Sequence, residues 1–461
     1  MLKGWFRETL VPTGSANAES LSNLKEEIDL AQLTSAMEGR ITPEMEQVAA
    51  KEKVAPEFIR QGVAAGTIVI PRNINRRNII PTGIGTGLTT KVSASVGMYG
   101  KGASVEDEVA KIRAAVVAGT DSIMDLSVSG DIDAMRKETL TVTPTPVGTL
   151  PLYQAVAEAA QKYGSSVKMD VEQLFEVIER QAADGVDFLA LHCGTTMDVI
   201  ERARQEGRVD PLVSYGGSHL IGWMIQNKQE NPLYEQYDRV LEIARKYDVV
   251  VSIADGMRPG CLADSLDAAQ VQEMVVIGEL VRRAREAGVQ VMVKGPGHVP
   301  LNQLKTTVAL QKSLCKGAPY FVFGPIVTDL AAGHDHISAA IGGAISAWAG
   351  AEFICYVTAS EHIGLPELQQ VREGVVAARI AAHAGDLAKG HPGAADWDLE
   401  LSKARKALDW PRQIELSIDP QRAEHYRKTR SKEGSSACAM CGKYCAMEVV
   451  AEYLGIDKVV C

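Results

Sequence analysis

Three cysteines fall within eight residues near the C-terminal end, in Cys438-Ala-Met-Cys441-Gly-Lys-Tyr-Cys445. Thiolates spaced this closely can converge on one metal centre, and iron–sulfur clusters are held by cysteines at such spacings. Three thiolates would leave one iron of a four-iron cluster without a cysteine. An open iron can bind a substrate or cosubstrate, which suits chemistry better than electron storage. The same cysteines also suit a structural zinc site, with His425 or Cys461 as fourth ligand. The spacing admits both readings, and three unconnected thiols at this density is the bland alternative. The run Arg427-Lys-Thr-Arg-Ser-Lys-Glu-Gly-Ser-Ser precedes the cluster. It is a solvated loop or a surface for an anionic cosubstrate.

The remaining cysteines, Cys193, Cys261, Cys315, Cys355 and Cys461, are scattered without a disulfide-framework spacing. That usage fits a reducing compartment. The N-terminal stretch has no apolar core of signal-peptide length, and no run approaches the roughly eighteen apolar residues of a membrane span. A cytoplasmic protein without a membrane partner is expected. A net charge of −10 on 461 residues argues against a general nucleic-acid binder.

The elements that would carry these groups alternate. Eight short apolar runs read as strands: Thr90–Val96, Ser122–Leu126, Pro146–Leu150, Phe188–His192, Val249–Ile253, Val289–Val293, Tyr320–Phe323 and Phe353–Val357. Helical patterns separate many of them, clearest at Glu106–Ala118, Glu172–Ala183, Ala268–Ala287 and Ser338–Ala349. Buried strands alternating with helices imply a parallel sheet, and eight of them imply a (β/α)8 barrel over residues 76–364. A doubly wound open sheet is the other architecture this pattern allows. Residues 1–75 form a leading region, with a helix over Glu19–Glu38, another opened by Thr42-Pro-Glu-Met-Glu, and a strand near Ala64–Pro71. The connection over residues 193–248 is long, and within it Val213–Ser218 reads as a loop before a helix. Residues 365–461 read as helical, with Leu365–Leu387, Trp397–Leu408, Pro420–Arg430 and Ala446–Leu454 around the cysteines.

In such a barrel the active site lies at the C-terminal ends of the strands. Taken strand by strand, that rule gathers Ser93 and Ser95, Met124 and Asp125, Tyr153, His192, Asp255-Gly256-Met257-Arg258, Lys294, Phe321, and His362 at one face. His298, after Gly295-Pro-Gly, and His362 could share a zinc with open positions for water or substrate. His334 and His336 are the rival pair, being closer in sequence. Arg258, Lys294, Ser214, Gly216, Gly217 and Ser218 could hold a phosphate, through a guanidinium fork and free backbone amides. The bland reading makes Gly216-Gly217 a turn and leaves the cations in solvent.

These residues carry a resemblance. Met124-Asp-Leu-Ser, Asp255-Gly-Met-Arg-Pro-Gly, Gly295-Pro-Gly-His-Val-Pro, Gly324-Pro-Ile-Val-Thr-Asp, Asp335-His-Ile, Ala340-Ile-Gly-Gly-Ala and Glu361-His-Ile-Gly-Leu-Pro follow one another in order. Over nearly its whole length the chain resembles the phosphomethylpyrimidine synthase family of radical S-adenosylmethionine enzymes. The resemblance implies a (β/α)8 barrel, a homodimer and a C-terminal [4Fe-4S] cluster on Cys438, Cys441 and Cys445. It also implies zinc at His298 and His362, S-adenosylmethionine as cosubstrate, an electron donor, and aminoimidazole ribotide as substrate. The substrate residues would be Ser95, Met124, Tyr153, His192, Ser214, Tyr215, Gly216, Asp255, Gly256, Met257, Arg258, Lys294 and Phe321.

The departures from the family pattern concentrate in that same set. The cluster spacing is C-x2-C-x3-C where the family has C-x2-C-x4-C. Ser93-Ala-Ser95 replaces Asn-Ala-Asn, Tyr215 replaces an arginine, Lys294 a glutamate, and Phe321 a tyrosine. Drift would not change several substrate-facing residues and spare the frame. The expectation is therefore the family's paralogous activity, 5-hydroxybenzimidazole synthesis for anaerobic cobalamin biosynthesis. The thiamin-pathway activity is the alternative, and a non-catalytic metal-binding barrel is the alternative of another class.

Overall fold

The structure, a computed structural model, describes residues 31–100, 103–430 and 446–455. The three cluster-type cysteines and Cys461 lie outside the described residues, as does the first part of the helix expected over Glu19–Glu38. Its described portion is a helix over Gln32–Met37. Thr42 caps the next helix, Pro43–Glu52, by accepting the Met45 amide at 3.2 Å. The extended stretch expected near Ala64–Pro71 is shorter than its apolar run, because the helix Pro56–Ala64 takes its start. What remains is β1 (Ile68–Val69), paired antiparallel with β2 (Ile84–Gly85).

The eight expected runs form one closed parallel barrel in the order β10-β3-β4-β5-β6-β7-β8-β9. Its strands are β3 (Lys91–Val96), β4 (Ser122–Asp125), β5 (Val147–Thr149), β6 (Phe188–Leu191), β7 (Val250–Ile253), β8 (Val291–Lys294), β9 (Tyr320–Phe323) and β10 (Phe353–Cys355). Closure comes from β10 pairing with β3, Phe353 opposite Lys91 and Cys355 opposite Ser93. The open doubly wound sheet is thereby excluded.

Period-two alternation divides each strand between two buried layers. Val92, Ala94, Ile123, Leu189, Leu191, Val251, Ile253, Val293 and Ile354 face outward and pack with the helices. Met124, Phe188, Ala190, Val250, Met292, Phe321, Phe353 and Cys355 fill the interior, joined from one end by Val69 and Ile84. Gly148 on β5 is what lets Phe188 lie inside: a Cβ there would stand 2.1 Å from the Phe188 ring. Gln290, just before β8, bonds both the amide and the carbonyl of Ile70, which fastens the β1–β2 pair across the N-terminal end of the barrel.

Within the long connection over residues 193–248, a helix, Tyr215–Asn227, follows the expected loop but begins inside Val213–Ser218, and the connection also holds helices at Met197–Glu206, Pro232–Glu235 and Tyr237–Tyr247. The helix expected over Trp397–Leu408 starts and ends earlier, at Pro392–Lys406, and a second helix, Trp410–Leu416, follows it. Pro392 and Pro411 each begin a helix, where a missing N–H costs nothing. Asp409 caps the second helix through the Arg412 amide, so the chain must break between them.

Candidate active site at the barrel mouth

The C-terminal ends of β6, β7 and β8 bring together a charged, nearly dry cluster. His192 follows β6 and is 2% exposed. Its Nε2 lies 3.0 Å from Ser214 Oγ, while Nδ1 has no protein partner. Ser214 is held in turn because it caps the helix Tyr215–Asn227 and accepts the Gly217 amide. Gly216 must be small, since a Cβ would meet His192 Cε1 at 2.4 Å and Tyr153 Cε1 at 3.1 Å. Tyr215 packs edge-on against Tyr153 with ring centroids 4.8 Å apart. Burial, then the cations Arg258 and Lys294, push the His192 pKa down to about 3, so the ring is neutral at working pH.

Asp255 and Lys294 are the buried ionisable groups at the heart of this mouth. Asp255 is 4% exposed and neither carboxylate oxygen has a hydrogen-bond partner. Lys294, the last residue of β8, is equally enclosed; its amine reaches only Met124 Sδ at 3.4 Å and the face of Phe321 at 4.6 Å. Burial pushes the Asp255 carboxyl above its usual range and the Lys294 amine below its own. A buried acid without donors and a buried amine on a soft, apolar seat are both unsatisfied groups. A bound polar molecule with hydroxyls and acceptors would satisfy both. Arg258 stays partly open beside Phe323, its guanidinium 5.3 Å from that ring.

Phe321 is fully covered inside the barrel, stacked on Phe353 at 4.0 Å. Its neighbour Tyr320 packs in the outer layer, and its buried, unpartnered hydroxyl lies beside Gly295 of the loop after β8. Ser95 contacts Cys355 Sγ at 3.4 Å and borders a cavity of about 190 Å³, together with Tyr99, Phe323 and Tyr356. Met124 is buried in the interior beneath Lys294. The mouth thus gathers the residues proposed for the substrate from β3, β4, β6, β7, β8 and β9.

His298 and His362 face one another with Nε2 atoms 3.2 Å apart. His298 Nδ1 donates to Asp329 at 2.8 Å, and His362 Nδ1 stands 3.1 Å from the Asp335 carboxylate in an ion-pair contact. A proton on each Nδ1, facing a carboxylate, leaves each Nε2 of the neutral rings with a lone pair. Two opposed lone pairs repel unless a cation or proton lies between them. Two nitrogens on one tetrahedral zinc stand about 3.3 Å apart, given bonds of roughly 2.0–2.1 Å. The observed separation fits that bite. Among the described residues no group of three or more His, Cys, Asp or Glu side chains is set to hold a metal ion, so the pair would supply two ligands only. No hydrogen bond or ring contact joins His334 to His336, and the residue between them, Asp335, turns to His362. Asp329 and Asp335 carry no role in the sequence reading, although both stand in stretches it singles out. Glu273, on a helix far from any motif, was invisible to it.

A family model described as the radical SAM ThiC family matches residues 31–452. A 5-hydroxybenzimidazole synthase BzaA from Moorella thermoacetica is 72% identical over 429 residues, covering 93% of this chain and 99% of that protein. Another, from Eubacterium limosum, is 61% identical, covering 90% of this chain and 97% of that protein. A phosphomethylpyrimidine synthase from Moorella thermoacetica is 58% identical, covering 94% of this chain and all of that protein.

Proposed function

The chain belongs to the radical SAM ThiC family, and on that premise we propose that it converts aminoimidazole ribotide to 5-hydroxybenzimidazole for the lower ligand of cobalamin. One observation carries the choice of product. The chain is 72% identical to a protein named 5-hydroxybenzimidazole synthase and 58% identical to the phosphomethylpyrimidine synthase of the same organism. The four departures at Ser95, Tyr215, Lys294 and Phe321 agree with that choice.

In this reading Asp255 accepts hydroxyl donors of the ribotide, and Arg258 holds its phosphate through its guanidinium fork. His192 stays neutral and offers Nδ1 to the substrate. Lys294 stands where the thiamin enzymes have a carboxylate, so it donates where they accept. Tyr153, Tyr215, Met124 and Phe321 exclude water around the reacting ring. Cys438, Cys441 and Cys445 would hold a [4Fe-4S] cluster that, with S-adenosylmethionine and an electron donor, supplies the radical which abstracts hydrogen from the ribose. His298 and His362 would hold zinc, backed by Asp329 and Asp335. The working protein is a cytoplasmic homodimer, with residues 76–364 as the catalytic barrel and 365–461 bearing the cluster.

Anaerobic incubation with aminoimidazole ribotide, S-adenosylmethionine and reductant, followed by mass spectrometry, tests the reading. Hydroxybenzimidazole without phosphomethylpyrimidine is the expected result. A pyrimidine product would return the protein to the thiamin pathway. Absence of an iron signal and of S-adenosylmethionine cleavage would leave a non-catalytic metal-binding barrel.

A further inference from the structure

Glu273 is a carboxylate with no place in the mechanism above, yet it is 1% exposed and fully engaged. It sits in the first turns of the helix Ala268–Glu286, behind the mouth. Its Oε1 accepts the Thr195 hydroxyl at 2.6 Å and the Gly256 amide at 2.9 Å, and its Oε2 accepts the Met257 amide at 2.8 Å. Thr195 belongs to the loop after β6, and Gly256 and Met257 to the loop after β7. One side chain thus fastens two consecutive mouth loops. Arg208 completes the hold, donating to the Met257 carbonyl at 2.7 Å while Asp267 fixes its guanidinium. The fit has no slack, because a Cβ on Gly256 would stand 2.2 Å from Thr195 Oγ1, and one on Gly217 would stand 2.8 Å from Gly256 Cα.

We infer that Glu273 is the positioning residue of the substrate site: it sets the Gly256–Met257 backbone, and through it the placement of Asp255 and Arg258 relative to His192. The two residues that flank the held dipeptide are the mouth's unsatisfied acid and its half-open cation. Neither has another hydrogen bond that would orient it. A carboxylate is required, because the two amides approach different oxygens. A glutamine would turn an NH2 group toward one of them, whichever way it is placed. The ligand assigned to Asp255 and Arg258 rests on the proposed function; the hold on the loop does not.

Two measurements on the full-length protein test this. The first is hydrogen exchange without ligand. In Glu273→Gln whichever of the Gly256 and Met257 amides faces the NH2 group should exchange at least about 100-fold faster, while Ala254, bonded to the Leu191 carbonyl, keeps its rate. The second is calorimetric binding of aminoimidazole ribotide, without S-adenosylmethionine or reductant. Glu273→Gln should raise Kd about 10-fold or more in the wild-type background and less than about 3-fold in Arg258→Ala, since both act on one contact. Thr195→Val should move both readouts the same way by less. Unchanged exchange in the loop overturns the inference. So does a loosened loop with wild-type ribotide affinity, or an effect that adds fully to that of Arg258→Ala. If the unsubstituted protein binds no ribotide, the functional reading fails, and exchange alone decides the role of Glu273.

Discussion

If His298 and His362 hold zinc as proposed, Asp335→Asn should weaken its binding more than Asp329→Asn, although neither carboxylate would be a ligand. Asp335 stands 3.1 Å from His362 Nδ1, and Asp329 accepts from His298 Nδ1 at 2.8 Å. The shorter contact belongs to the more exposed acid, since the Asp329 side chain is 39% exposed and that of Asp335 is 2%. Each carboxylate lies about 7 Å from an ion between the Nε2 atoms, and a unit charge there attracts a divalent cation by about 1 kcal/mol at the dielectric of water and about 5 kcal/mol at an effective value near 20. Loss of such a supporting acid costs about 10–100-fold in affinity. Solvent screening puts Asp329→Asn near the lower figure, about 1.4 kcal/mol, and burial puts Asp335→Asn near the upper, about 2.7 kcal/mol. Asparagine keeps the shape and can still accept the Nδ1–H, so the charge is what changes. Competition with a chromophoric chelator on the full-length protein reads both values. Wild-type affinity in Asp335→Asn, or a larger loss in Asp329→Asn, would refute this account of the pair.

Three further outcomes follow from the same geometry. His192 takes up a proton in the unfolded chain near pH 6.5 but refuses it in the fold until about pH 3; below pH 6.5 the unfolded state binds more protons, so stability falls as pH drops. Between pH 7.5 and 5.0 this contribution amounts to about 2 kcal/mol, and urea unfolding of His192→Gln should show a pH dependence flatter by that amount. Gly216→Ala should raise the Kd for ribotide at least about 5-fold, because the added carbon overlaps His192 and overpacking of this kind costs about 1–3 kcal/mol; unchanged calorimetric affinity would contradict the placement of His192 in the site. Replacing Cys438, Cys441 or Cys445 by Ala should remove the iron–sulfur absorbance of anaerobically prepared protein, whereas Cys461→Ala should retain it.

The barrel was legible because each of its strands is a short apolar run buried on both faces. The strand ends were less so. Val289–Val293 shifts to Val291–Lys294, whose last residues, Val293 and Lys294, pair with Tyr320 and Phe321 of β9. Lys294 thereby becomes part of the strand and turns inward, where a charged residue is not expected. Phe321 and Tyr320 look interchangeable in sequence, and only strand alternation sends the phenylalanine inside and the tyrosine out. His298 and His362 were legible as ligand types near strand ends. Their carboxylate partners were not, because an aspartate that orients a histidine has the same local signature as one that faces water. Glu273 was the hardest to see. An acid on an amphipathic helix ordinarily reads as solvated, and its partners are backbone amides that carry no residue identity.

The β1–β2 pair has a consequence for traffic. With Val69 and Ile84 lodged in the interior cluster and Ile70 tied to Gln290, the vessel is stoppered at its base. Whatever reacts at the mouth enters and departs by one doorway. Spent product must then vacate before fresh substrate can be seated, so the two compete for the same vestibule, and accumulated product should act as a competitive inhibitor rather than draining away through the floor.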